Sequence, residues 1–263
     1  MKYKDATAKI VSVHSFRGGT GKSNTTSNLA TTIACYGNRV GIIDTDIQSP
    51  GVHALFGLDE EKIDYALNDY LWGNCVIEEA AYDVSQFLQL EQGRVVAPNS
   101  AVYLVPSSIK ATKIARILNE GYDVELLNNG FQKLIHSLKL DYLFIDTHPG
   151  INEETLLSIA MSDILVLILR PDTQDYQGTA VAIDIACELE VPKMLLVVNK
   201  VLTKFDFEAL QQKVQTAYNV PVAGVFPLCE EMVELASNSI FCLRYPEHPW
   251  TQEIDKVARQ ILS

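Results

Sequence analysis

The stretch Lys9-Ile10-Val11-Ser12-Val13-His14-Ser15-Phe16-Arg17-Gly18-Gly19-Thr20-Gly21-Lys22-Ser23 decides the fold. A short run rich in β-branched residues reads as a buried strand over Lys9–His14. Glycines follow, then Gly21-Lys22-Ser23, then a helix expected over Lys22–Cys35. Strand, glycine-rich loop, Gly-Lys-Ser and helix arrive in the order that a phosphate-binding loop requires. The common pattern is G-x-x-x-x-G-K-[ST], and Phe16 stands where its first glycine belongs. The chemistry survives that departure. Glycines let the backbone turn and aim N–H groups at phosphate oxygens. Lys22 offers a point charge, and Ser23 a hydroxyl ligand for Mg²⁺. The N-terminus of the following helix favours an anion.

On either side of this loop, apolar runs alternate with amphipathic segments. Strands are expected at Lys9–His14, Arg39–Asp44, Val102–Val105, Leu140–Asp146, Ile164–Leu169, Met194–Asn199 and Val222–Phe226. Continuous runs such as Ile164-Leu165-Val166-Leu167-Ile168-Leu169 suit strands covered on both faces. In Val124–Leu138, residues Leu127, Phe131, Leu134, Ile135 and Leu138 share one helix face, and Phe207–Tyr218 reads similarly. Strands alternating with helices imply an α/β fold: a doubly wound, mostly parallel sheet with the phosphate loop at its carboxyl edge. No linker divides the chain, so residues 1–263 are expected to form a single nucleotide-binding domain. The region 57–100 is the least regular, and QGRVVAPNS at 92–100 reads as an exposed turn.

Two carboxylate-bearing strand ends join the loop. Val40-Gly41-Ile42-Ile43-Asp44-Thr45-Asp46 closes the second strand, and alternation puts Asp44 and Asp46 on one side if that strand continues. Tyr142-Leu143-Phe144-Ile145-Asp146-Thr147-His148-Pro149-Gly150 has the Walker B arrangement, an Asp that holds Mg²⁺ after an apolar strand. In a parallel sheet such ends meet at the carboxyl edge, where ligands bind.

Composition narrows the function. The chain has 263 residues, 48% hydrophobic and 21% charged, as in ordinary globular proteins. Its formal charge of −12 argues against general polyanion binding. No apolar run approaches the roughly 20 residues of a membrane span. The start, with Asp5 and no apolar core, is not expected to be a secretory signal, so a cytoplasmic location is expected. Cys35, Cys75, Cys187, Cys229 and Cys242 are widely spaced and form no CxxC, which supports neither a zinc knuckle nor a disulfide framework.

These motifs together resemble the ParA/MinD family of deviant Walker A ATPases. That family's loop reads K-G-G-x-G-K-[ST], against Arg17-Gly18-Gly19-Thr20-Gly21-Lys22-Ser23 here. The similarity runs on through IIDTDIQSPG, DYLFIDTHPG, LLVVNKV and AGVFPLCEEMVELASNSIF in family order. The resemblance implies an ATP switch whose ATP-bound subunits form a sandwich homodimer, with hydrolysis stimulated by an activating adaptor protein. It implies ATP and Mg²⁺ as cofactors, and a cargo or division component that the switch positions. By motif, Arg17, Gly18, Gly19, Thr20, Gly21, Lys22, Ser23 and Asn24 would bind nucleotide phosphate. Ser23, Asp44 and Asp146 would serve the metal. Asp46 would act on the attacking water, with Lys22 and Arg17 as the other catalytic groups. Asn199 would read the base, and the backbone of Pro227, Leu228 and Cys229 would line the adenine pocket.

Arg17 is the main departure, because the family has its signature lysine there. Arginine keeps the charge and adds a planar fork, so it could reach the partner's phosphates in trans. The structural alternative is a pair with Asp44 or Asp46. A carboxysome-positioning branch of the family also lacks the lysine, and is one candidate assignment. Other readings within the superfamily are a metabolic or metal-insertion ATPase and a nucleotide-holding adaptor with negligible turnover. A tyrosine-kinase reading lacks its tyrosine-rich tail, since only Tyr245 falls there. The last helix, expected over Thr251–Leu262, carries only Lys256 and Arg259 as basic groups and is expected to dock on the sheet, not to anchor to a membrane. Nucleoid DNA remains a candidate partner through Lys193, Lys200, Lys204, Lys213 and Arg244. Trp72 and Trp250 read as packing groups, His148 as a packed or solvent-facing switch residue against a contact with the switch water or a partner, and Arg170 as a partner for Asp172 or Asp175 against a place near the nucleotide or dimer interface. No structural metal is expected.

Overall fold

Along the central strands, alternate side chains leave toward opposite faces, and both faces are covered. The computed structural model describes residues 8–89 and 96–263. Its strands are β1 Lys9–His14, β2 Arg39–Asp44, β3 Tyr82–Asp83, β4 Ala101–Val105, β5 Tyr142–Asp146, β6 Ile164–Leu169, β7 Lys193–Val201 and β8 Val222–Pro227. They lie in one sheet in the order β3-β4-β2-β5-β1-β6-β7-β8. Neighbours pair in parallel except for the antiparallel β3–β4 edge.

Val11, Val13, Ile42, Phe144, Val166 and Val197 face the helices Lys22–Cys35 and Pro249–Leu262. Their neighbours in sequence, Ile10, Ile43, Leu143, Leu165 and Val198, face the helices Val124–Leu138, Thr173–Glu188 and Phe207–Tyr218. This is the doubly wound α/β architecture. It explains why the strands read as continuous apolar runs: each is buried on both sides.

The expected strands all form, three of them with the expected bounds and the others with ends moved by one or two residues. Sequence reading missed β3, whose two residues carry no apolar run. Val96–Ser100 form a turn-bearing connection, while residues 92–95 of the expected exposed turn lie outside the described residues. The last helix begins at Pro249 and buries Trp250, Ile254, Val257, Ala258 and Ile261. Its apolar face is therefore spent on the core. Among the described residues no helix is long and apolar enough to cross a membrane.

Candidate nucleotide site

Strand register brings the chemistry to one edge. Asp146 lies beside Val13 of β1 on one side and beside Asp44 of β2 on the other. The glycine-rich loop leaves β1 one residue past Val13, after His14, so loop and carboxylates share the carboxyl end of the sheet.

The loop is tied down by its own polar groups. The Thr20 hydroxyl donates to Ser15 Oγ at 2.9 Å, and Ser15 Oγ donates to the Arg17 carbonyl at 2.7 Å. Asn199 Nδ2 donates to the Thr20 carbonyl, and Lys200 Nζ to the Gly19 carbonyl, both at 2.8 Å. Gly21 has φ +95°, and a Cβ there would sit 2.6 Å from Asn199 Nδ2. Conformation and close approach both demand glycine at this position. Phe16, in place of the first motif glycine, turns away to the helix Thr173–Glu188. There Gly178 makes room for it, since a Cβ on Gly178 would lie 2.2 Å from Phe16 Cδ1.

The helix that follows starts differently from its neighbours. The helices beginning at Val124, Glu153, Thr173 and Phe207 are capped by Asp123, Asn152, Asp172 and Asp206, whose side chains accept first-turn N–H groups. The helix beginning at Lys22 has Gly21 as its cap, no side-chain acceptor and no acidic residue in its first turn. Its positive end is left for an anion from elsewhere. That suits a nucleotide phosphate.

Carboxylates crowd the same edge. Ser23 Oγ donates to Asp146 Oδ2 at 2.7 Å, and Thr26 Oγ1 to Asp146 Oδ1 at 2.8 Å. Asp44, fully buried, accepts from the N–H groups of Asp46, Gly51 and Val52 at 3.1–3.2 Å. β2 stops at Asp44. Asp46 therefore reaches the site through a turn, not by strand alternation as expected. Asp46 accepts from Ser49 N–H at 3.1 Å and lies 3.9 Å from His148 Nε2.

Burial pushes the Asp44 carboxyl well above the usual range, and nearby Asp146 pushes it further. Burial also raises Asp146 and Asp46, partly offset by the Lys22 ammonium. Three buried carboxylates thus face one buried ammonium, and the deficit of positive charge suits a hard divalent cation. The donor set of Ser23 hydroxyl and Asp carboxylates is all oxygen, which fits Mg²⁺.

Arg17 departs from the structural alternative expected for it. It meets neither Asp44 nor Asp46. Its Nη1 lies 3.7 Å from Asp172 Oδ1 and 3.6 Å from Asp175 Oδ1, with its side chain 41% exposed. Asp44 is sealed by backbone N–H groups and Asp46 by Ser49 and His148, which leaves Arg17 the outer acidic pair. Arg170 holds Asp175 more tightly, from Nε at 2.9 Å and Nη2 at 3.2 Å, as its sequence suggests.

On the far side of the loop, Gly21, Asn24, Asn199, Pro227, Leu228 and Cys229 line one cavity of about 210 Å³ with Met232 and Val233. The candidate base-reading residues are thus brought together. Asn199 already spends its Oδ1 on the Lys200 N–H at 2.8 Å as well as its Nδ2 on the loop. Of the candidate DNA-facing cations, Lys193 is bonded to the Gln260 carbonyl of the last helix and Lys200 to the loop, while Lys204 stands over the Phe205 ring. Lys213 and Arg244 are exposed.

Three contributors escaped sequence reading: Thr26, Gly178 and His14. The period of the helix could have flagged Thr26, one turn after Ser23. His14 is fully buried, with Nδ1 2.8 Å from Thr147 Oγ1 and Nε2 without a partner among the described residues. Thr147 Oγ1 donates to the Val13 carbonyl, so it accepts from His14 Nδ1–H, which fixes the neutral tautomer. Burial, with Lys22 and His148 nearby, lowers the His14 pKa to about 3.

A family model described as ParA, NUBPL iron-transfer P-loop NTPase, matches residues 6–262. The chain belongs to the ParA family of P-loop NTPases. Among similar proteins, an uncharacterized ATP-binding protein of Methanocaldococcus jannaschii is 27% identical over 97% of this chain and 88% of its own length. The septum site-determining protein MinD of Bacillus subtilis is 23% identical over 97% of this chain and 89% of its own. An iron-sulfur cluster carrier protein of Pyrococcus abyssi is 23% identical over 96% and 85%. Among solved structures, MinD of Pyrococcus horikoshii complexed with Mg-ADP superposes with a TM-score of 0.76 at 21% identity, covering 97% of this chain and 96% of that one. The ParA fold is thus shared.

Proposed function

We propose that this ParA-family chain is an ATP-dependent association switch: it binds Mg²⁺-ATP at the glycine-rich loop, pairs with a second copy, and separates after a hydrolysis step that an adaptor protein stimulates. Its output is the positioning or segregation of an intracellular cargo. The observation that supports this reading best is the contact between two loops at the phosphate end. His148, after β5, approaches Asp46, after β2, beside the Lys22 loop. A change at the terminal phosphate is felt by both loops at once, which is what a switch needs.

In this reading Lys22 and the open first turn of its helix hold the phosphates. Ser23 and Asp146 would hold Mg²⁺, with Asp44 behind them in its shell. The ion supplies charge neutralisation at the phosphate oxygens when bound. Asp46 orients the attacking water and accepts its proton, a role for which burial prepares it by raising its basicity. Arg17, loosely held and half exposed, is the cation offered to the partner's phosphates. Cys229, Leu228 and Pro227 enclose the base.

Asp46→Ala tests this assignment. It should keep the ATP-bound dimer, seen by light scattering, and lose phosphate release. Undiminished release would move the catalytic carboxylate elsewhere.

The second reading, an ATPase serving a metal cluster, is favoured by the likeness to an iron-sulfur cluster carrier. Absorbance of protein reconstituted with iron and sulfide distinguishes it, since the switch reading expects no cluster.

A further inference from the structure

Cys229, Glu231 and His248 come together outside the phosphate site, beside a cavity that all three line, and Cys229 also lines the candidate base pocket. Cys229 Sγ lies 3.3 Å from Glu231 Oε2 and 3.9 Å from His248 Nε2, and His248 Nε2 lies 3.6 Å from Glu231 Oε2. A tetrahedral zinc ion, from its usual bond lengths, separates sulfur, nitrogen and oxygen ligands by about 3.4–3.6 Å. The three donors are therefore already spaced as the face of such a site.

We propose that Cys229 Sγ, Glu231 Oε2 and His248 Nε2 bind a zinc-class divalent ion, with the fourth position open to the cavity of about 620 Å³ beside them. A thiolate, an imidazole and a carboxylate form a borderline-soft donor set, which separates this site from the all-oxygen set expected to take Mg²⁺. The ion ties the turn after β8 to the start of the last helix, because Cys229 follows β8 and His248 caps Pro249–Leu262. The same turn walls the candidate base pocket.

The proton balance is specific. His248 Nδ1 now accepts from Trp250 N–H at 3.0 Å, so the neutral ring carries its proton on Nε2. On metal binding that proton leaves Nε2 and Nδ1 takes one up, so the ring's charge is unchanged and the Trp250 bond is given up. The Cys229 thiol loses its proton to become a ligand. Glu231 is already ionised. One proton per ion is released.

The proposal is independent of the ATPase reading, and its test uses no nucleotide. The full-length protein, stripped with a chelator, is titrated with Zn²⁺ against a fluorescent zinc indicator and, separately, with Co²⁺ in an absorbance cell. Expected are one Zn²⁺ per chain, release of one proton, a rise in melting temperature and a thiolate-to-cobalt charge-transfer band. Losing an outer partner of a metal ligand weakens binding roughly 10–100-fold, so Cys229→Ala, which removes a ligand itself, should weaken it at least that much and abolish the band. His248→Asn keeps a good helix cap and should also weaken binding. Glu231→Gln, at a half-exposed side chain, should do so as well. If Cys229→Ala fails to fold, these two variants decide. No zinc uptake by the wild type, a cobalt complex without the thiolate band, or affinity unchanged in the variants overturns the proposal.

Discussion

The phosphate end and the base end of the candidate site are built in opposite ways. At the phosphate end, Lys22, Asp44, Thr26 and Asp146 are all buried, and the carboxylates and hydroxyls among them are bonded to named partners. At the base end, Leu228 is 44% exposed and Val233 74% exposed, around a cavity of about 210 Å³. One end is a prebuilt polar cradle whose cost of assembly was met on folding. The other is a soft apolar wall that a ligand can reshape. On the proposed reading, phosphate is recognised through fixed geometry and the base through adaptable contact.

The sharpest way to break this contrast is to disturb the cradle from behind. Gly178→Val would drive side-chain atoms into Phe16, where even a Cβ stands 2.2 Å from Phe16 Cδ1. Overpacking of this kind costs about 1–3 kcal/mol, and here it should also displace the loop and lower ATP affinity. Adding Phe16→Ala should restore much of both. Urea unfolding and titration with a fluorescent ATP analogue read the two effects. A silent Gly178→Val would mean that the cradle is as soft as the base pocket.

A smaller effect tests whether the cradle is as dry as its burial suggests. His14 has a folded pKa of about 3 against an ordinary value of 6.5, so the unfolded chain binds more protons between those values. Stability should therefore rise with pH across that window and stop gaining from this group above it. Between about pH 5.5 and 6.5 the gain should be about 1 kcal/mol. His14→Gln should remove that part of the curve. The comparison with wild type isolates it, because the raised Asp44 and Asp146 carboxyls act in the opposite sense. Parallel curves for the two proteins would place His14 in contact with water.

Arg17 should matter least to the fold. Its ion pairs are long and exposed, so Arg17→Ala should change stability by less than about 1 kcal/mol. Sedimentation with a non-hydrolysable ATP analogue should nevertheless show a selective loss of dimer, with Arg17→Lys recovering much of it. An unchanged ATP dimer in Arg17→Ala would return Arg17 to a purely local role with Asp172 and Asp175.

The same contrast explains what could be read from sequence. The cradle was legible because its parts are contiguous or end a run: Lys22 and Ser23 in the loop, Asp44 and Asp146 closing β2 and β5. The helices Val124–Leu138 and Phe207–Tyr218 show their periodicity, Lys22–Cys35 follows from the loop motif before it, and all three have the expected bounds. What stayed hidden depends on pairs distant in sequence. Nothing near Gly178 announces that it faces Phe16. The partners of Arg17 follow β6, on the opposite side of β1 from the β2 carboxylates that its position suggested. Cys229, Glu231 and His248 follow no ligand spacing, because a strand end and a helix cap bring them together.

The central claim is that Lys22 and its loop form a site for Mg²⁺-ATP. It is tested most directly by titrating wild type and Lys22→Ala with a fluorescent ATP analogue in the presence of Mg²⁺, with thermal melts to confirm that both are folded. A charge-assisted contact of this kind is worth about 1.5–3 kcal/mol, so the variant should bind roughly 10–150-fold more weakly. Equal affinities in two folded proteins would contradict the assignment of the loop, and with it the switch.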